Sequence, residues 1–111
     1  MITYEYRLPH DINSFRRSVG WYELSPRQLN CALKSSVFAI TALDGEKEVG
    51  SARVVCDGGY QFFISDVIVR PEYQGQGIGR EMLSRLMDKA LSVADEGETI
   101  MINLMAAKDK E

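Results

Sequence analysis

The stretch that most limits what this chain can fold into is residues 66–80, DVIVRPEYQGQGIGR. A β-branched run, Val67-Ile68-Val69, meets a proline at Pro71. Gln74-Gly75-Gln76-Gly77-Ile78-Gly79 follows, and an amphipathic helical pattern starts at once. A strand running into a glycine loop that opens a helix is a common way to build an anion site. The first N–H groups of a helix have no internal partner, and the helix dipole adds positive potential there. Glycine lets a phosphate approach that backbone, because no Cβ stands in the way.

Spacing separates the alternatives. A dinucleotide-binding fingerprint needs G-x-G-x-x-G; Gly75 and Gly77 fit, but the third position is Arg80. A P-loop needs G-K-[ST] after four spacers, and the chain has none. A turn that only caps the helix rarely needs three alternating glycines. The pattern Q/R-x-x-G-x-G/A after V-x-P resembles the acetyl-coenzyme A motif of the GNAT N-acetyltransferases, with Gln74, Gly77 and Gly79 at its signature positions. The resemblance extends more weakly over the whole chain.

Length and composition fit this reading. At 111 residues the chain is one domain, 1–111, with room for one core. The net charge is −3, the pI is about 5.2 and no Lys/Arg run is present, which argues against nucleic-acid binding. No apolar stretch approaches the ~20 residues that cross a bilayer. MITYEYRLPH lacks the basic start and apolar core of a signal peptide, so a cytoplasmic protein without membrane association is expected. Cys31 and Cys56 sit in no paired motif and read as small buried residues. His10, the sole histidine, has no neighbours that would complete a metal site.

In order, residues 2–7 read as a strand, and Asp11 caps a helix over about 12–19 that Gly20 stops. Trp21 and Tyr22 lie in the connector, either as a staple over the core or against a substrate. Ser25-Pro26 starts a second helix, closed at Ser35-Ser36. Residues 37–43, 47–56 and 60–69 read as a meander of three strands, turning at Asp44-Gly45 and Asp57-Gly58-Gly59, with 60–69 central. The helix over 77–94 places Ile78, Met82, Leu83, Leu86, Met87, Ala90, Leu91 and Ala94 on one face. Residues 99–105 form a last strand, parallel to 60–69 through a right-handed crossover. The order β-α-α-β-β-β-α-β gives an α/β fold: a mixed, largely antiparallel sheet with helices on both faces, as in the GNAT family.

The resemblance implies transfer of an acetyl group from acetyl-coenzyme A to a primary amine of a small molecule or peptide, with no metal. It assigns the pyrophosphate to the loop Gln74, Gly75, Gln76, Gly77, Ile78, Gly79 and Arg80. The pantetheine arm goes beside Val67-Ile68-Val69, and the oxyanion to a backbone N–H near Val67 freed by a bulge. It places Trp21 or Tyr22 on the acceptor wall. Asp66 is the best internal candidate for the base; the alternative is a structural carboxylate that bonds a neighbouring loop. Tyr73 reads as a packing residue. The resemblance implies that members usually continue with a helix, often carrying the tyrosine that serves as general acid, and a further strand or two, so the chain is expected to be truncated after its fifth strand or to be an unusually short member. The last strand, apolar on both faces, would then need a second copy, hence a homodimer. A non-catalytic acyl-coenzyme A module, or a regulatory domain whose loop binds another phosphate ligand, is the alternative.

Overall fold

A computed structural model of the chain describes residues 1–104. Five strands form one sheet in sequence order, and the helices lie on its two faces. β1 (Ile2–Glu5) pairs antiparallel with β2 (Ser36–Asp44), β2 with β3 (Lys47–Cys56), and β3 with β4 (Gln61–Val69). β5 (Met101–Leu104) runs parallel to β4, with Gln61 opposite Met101 and Ile64 opposite Leu104. The middle strand of the five is therefore β3, not the 60–69 strand, which lies one place nearer the β5 edge. The expected end of the last strand at Met105 and the polar run 106–111 fall outside the described residues.

Local chemistry sets the boundaries. β1 stops at Glu5, two residues before the expected end, because the Arg7 N–H turns back to the Glu5 carbonyl at 3.0 Å. α1 (Ile12–Ser18) begins at Asp11, whose carboxylate accepts the Ser14 N–H at 3.0 Å. It ends in a Schellman motif. Gly20, at φ +78°, donates to Arg17, and the Trp21 N–H donates to Arg16, so the backbone itself sets the position of Trp21. α2 (Pro26–Ser35) carries a full capping box: Ser25 Oγ accepts the Gln28 N–H and Gln28 Oε1 accepts the Ser25 N–H. α3 (Ile78–Leu91) ends three residues before the expected Ala94. There the N–H groups of Ser92, Val93 and Ala94 bond three residues back, tightening the last turn.

The main core lies between α3 and the sheet. Ile40, Val49, Val54, Met82 and Leu86 are buried there. Gly50 lets the helix settle: a Cβ on it would come within 3.2 Å of Ala42, Ile78 and Met82. On the other face Phe15 of α1 is fully buried near Ser51 and Ile68, and the Arg70 guanidinium lies 4.2 Å from the centre of its ring. Burying a phenylalanine contributes about 1.5–3 kcal/mol, so α1 is fixed to the sheet chiefly through this side chain. Cys31 departs from expectation: it is exposed on α2, a helix with no fully buried residue, and Cys56 is only half-buried.

β4 carries the feature that shapes the site. Ser51 opposes Ile68 and Arg53 opposes Ser65, so Asp66 and Val67 together face the single residue Ala52. This is a β-bulge. It reverses the strand's alternation: Phe62 and Ile64 pack toward the α3 core before it, Val67 and Val69 after it. Asp66 takes φ +55°, the only non-glycine residue with positive φ among the described residues.

Candidate functional site

β4 runs into a short 3₁₀ turn, Pro71–Tyr73, which delivers the chain to the glycine loop. Gly75 and Gly77 both hold left-handed backbones, at φ +82° and +83°. A Cβ at either would meet no protein atom within 4 Å, so the space above the loop is open. Gly77 is the N-cap of α3, no side chain caps that end, and the first backbone bond across it runs from Glu81 N–H to Gly77 C=O at 3.0 Å. The donors that precede Glu81 in the first turn have no partner within the helix. A groove of about 500 Å³ lies there, lined by Val69, Tyr73, Gln74, Gly75, Gly77, Ile78, Gly79 and Arg80. An open cradle of unpaired N–H groups at a helix N-terminus fits a diphosphate.

A second cavity, of about 350 Å³, is lined by Val19, Trp21, Val67, Ile68, Val69, Pro71 and Gln74. The two share Val69 and Gln74, so they lie side by side at that point of the chain. Gln74 sits at the junction with its amide donating to the Val69 carbonyl at 3.0 Å. Among the described residues β4 pairs with β5 only from Gln61 to Ile64, and the half that includes the bulge lines the cavity instead.

The structure thus brings together Trp21, Val67, Ile68, Val69 and Gln74 on one cavity, and the loop from Gln74 to Arg80 on the other. Gln76 belongs to the loop by position but does not line the groove. Tyr22 is not brought in: it is 91% exposed and lines neither cavity. Tyr73 is tied down, its hydroxyl donating to Asp44 at 2.6 Å, which holds the phenol above its usual pKa.

Asp66 has the partner that a mid-strand carboxylate requires. Oδ1 accepts from Arg16 at 3.3 Å and Oδ2 from Arg53 at 3.0 Å. All three side chains are mostly shielded from solvent. The Arg16 guanidinium also lies 5.2 Å from the centre of the Trp21 ring, and its Nε donates to the Tyr22 carbonyl at 2.7 Å. Sequence reasoning missed Arg16 and Arg53. Arg53, a charge between Ala52 and Val54 inside a strand, was the available signal; Arg16, on an ordinary helix, left none. The indole Nε1 of Trp21 is buried without a partner among the described residues.

The model of the Acetyltransferase (GNAT) domain matches residues 34–110. An uncharacterized N-acetyltransferase of Pyropia yezoensis is 29% identical over 104 residues, which cover 90% of this chain and 58% of that protein. An acetyltransferase of the GNAT family from Streptococcus pneumoniae superposes with a TM-score of 0.77 at 31% identity, over 97% of this chain and 77% of its own. A Staphylococcus aureus structure described as a "Probable Acetyltransferase" superposes with a TM-score of 0.83 at 27% identity, over 98% of this chain and 82% of its own. The chain spans about half the length of the curated relatives it matches. Among the described residues no helix is long and apolar enough to cross a membrane. With the domain match running from β2 through the glycine loop to β5, over well more than half of the chain, the protein belongs to the GNAT acetyltransferase family.

Proposed function

We propose that the protein transfers an acetyl group from acetyl-coenzyme A to a primary amine of a small molecule or peptide. The observation that carries this reading is the adjacency of the two cavities, which share Val69 and Gln74. An uncapped helix N-terminus suited to a diphosphate adjoins, at Gln74 and Val69, a cavity lined by a bulged strand. That is the shape of a ligand with a diphosphate at one end and a long thioester arm at the other.

In this reading the backbone N–H groups from Gln76 to Arg80 bind the diphosphate, and their dipoles favour its charge. Val67, Ile68 and Val69 receive the pantetheine arm as an added strand would be received. The amine nitrogen attacks the thioester carbon, the C–O double bond opens to an oxyanion, and the C–S bond breaks as the carbonyl re-forms. The Val67 N–H, at the bulge, donates to that oxyanion. The amine gives up its proton and the thiolate takes one, and only the neutral amine attacks. Asp66 was the sequence's choice for the base; with both oxygens engaged by guanidinium groups, its geometry favours the structural alternative.

Trp21 lines the arm's cavity together with the strand residues and is the side chain we assign to the acceptor side; Tyr22, 91% exposed, offers less. Met101 and Leu104 of β5 are about half exposed, which supports association with a second copy. The test is an acetylation screen over small amines, amino sugars, polyamines and peptide N-termini, reading free thiol release. Turnover with one class establishes the activity. Binding of acetyl-coenzyme A with no turnover on any class would instead make this a non-catalytic binding module.

A further inference from the structure

The carboxylate of Asp66, the guanidinium groups of Arg16 and Arg53, and the bulge form one construction whose purpose a bare bulge would not require. A left-handed backbone inside a strand is a strained conformation for any residue with a Cβ, and asparagine and aspartate tolerate it best. Strain of this kind persists only where the surroundings over-determine it. Here they do. Arg53 is the cross-strand neighbour of Ser65, so its bond to Asp66 Oδ2 ties β3 to the bulge from the side. Arg16 reaches from α1 and ties Oδ1 from above. The same guanidinium lies against Trp21 and bonds the Tyr22 carbonyl, so the bulge and the wall of the cavity hang from one side chain. Arg53 is steadied in turn by a 3.3 Å bond to Ser36 Oγ.

We infer that Arg16, Asp66 and Arg53 are positioning residues: together they lock the β4 bulge so that the Val67 N–H points into the acyl cavity, and they hold Trp21 at its wall. This rests on the acetyl-coenzyme A reading of the groove and extends it. None of the three needs to touch the ligand. Their effect passes through the backbone at residues 66–67, while the glycine loop, on the far side of Gln74, is left as it is. Charge-assisted bonds from two directions fix a carboxylate far better than one.

The test reads the thioester carbonyl itself. Isotope-edited infrared spectroscopy of acetyl-coenzyme A labelled with ¹³C at the carbonyl follows its stretch on binding; a hydrogen bond to that oxygen lowers the frequency. With wild-type protein the stretch is expected to fall. With Arg53→Met and Asp66→Ala most of that fall should vanish, while affinity for coenzyme A without the acetyl group, measured by calorimetry, stays within about threefold because the loop is untouched. Arg53→Lys, which keeps the charge, should restore part of the shift. If Asp66→Ala does not fold, Asp66→Gly takes its place, since glycine accepts φ +55° freely yet lacks the carboxylate. A full shift retained in both clamp variants overturns the inference, as would loss of coenzyme A affinity in step with the shift. A wild-type protein that binds no acetyl-coenzyme A overturns the functional reading itself, a different result.

Discussion

The two ends of the groove are built on opposite principles. At the glycine-loop end, where we propose that the diphosphate binds, the chain removes side chains: Gly75 and Gly77 adopt left-handed backbones that cost glycine nothing, and no cap competes for the first donors of α3. At the bulge end, the proposed acyl end, it adds them. Asp66 holds a backbone that glycine would accept more easily, and two arginines and a stacked tryptophan keep it there. The first end is made by local sequence, the second by contacts between residues far apart in the chain. The difference teaches where substitutions act: at the loop on the ligand directly, at the bulge through the fold.

Gly77→Asp is the sharpest way to break that comparison. It sets a carboxylate in the open space above the loop, where no protein atom lies within 4 Å of a Cβ. Two like charges ~4 Å apart at an effective dielectric near 20 repel by about 4 kcal/mol, so affinity for acetyl-coenzyme A should fall about 10³-fold. Gly77→Ala separates charge from strain: only the left-handed backbone costs there, about 1–2 kcal/mol, chiefly in stability. Undiminished affinity in Gly77→Asp, by calorimetry, would mean that the loop is not the phosphate site.

Asp66→Asn probes the other end. Asparagine tolerates the left-handed backbone but gives up the charge and one of the two acceptors. If Asp66 were the base, kcat should drop by on the order of 10²–10⁴ with an unchanged carbonyl spectrum. As a positioning residue it should lose less in kcat, with the spectrum altered in proportion. Gln74→Ala, at the junction, has a smaller expected effect. It frees the Val69 carbonyl from its 3.0 Å bond; the junction must then be ordered on binding, at a cost of about the 1 kcal/mol of a neutral hydrogen bond, which weakens binding of the whole ligand roughly fivefold. An unchanged dissociation constant would place the junction outside the bound arm.

The smallest effect lies away from the groove and tests whether the acyl end is held independently. Burial opposes the charge on Glu48, yet bonds from the Arg7 side chain and the His10 N–H outweigh it and hold the carboxyl below its usual 4.5. A lowered pKa gives stability that is complete above the unfolded value and is lost as pH falls through the folded one. Glu48→Gln should therefore melt below wild type at neutral pH, with the gap narrowing as pH falls from the ordinary 4.5 through the lower folded pKa. A gap independent of pH would contradict this. Light scattering on the chain tests pairing through β5: a monomer that binds no apolar dye would remove the case for a second copy.

The glycine loop and the helix it opens are legible in the sequence because glycines and proline punctuate the stretch at fixed spacing. The same held for α2, whose Ser25-Pro26 start needs no tertiary information, and for the antiparallel meander, whose turns carry Asp-Gly steps. The bulge was expected near Val67, but only from the family resemblance. Its cause stayed hidden, because Asp66 meets Arg16 across 50 positions of sequence and Arg53 across 13. The rank of β4 in the sheet was misjudged for the same reason: hydrophobic content marks a strand as interior but does not say which of two interior strands is in the middle. Cys31 was misplaced because α2 buries so little of its surface.

The central claim is that one ligand spans both ends. Trp21 is the chain's only tryptophan and stands at the acyl end, so its fluorescence reports on that cavity alone. Adenosine diphosphate, which carries the diphosphate without the arm, should compete for the loop and leave Trp21 emission unchanged. Acetyl-coenzyme A should bind the same site and change it. Emission that responds equally to both ligands, or acetyl-coenzyme A binding that Trp21 does not sense, would contradict a single groove running from Gly77 to Val67.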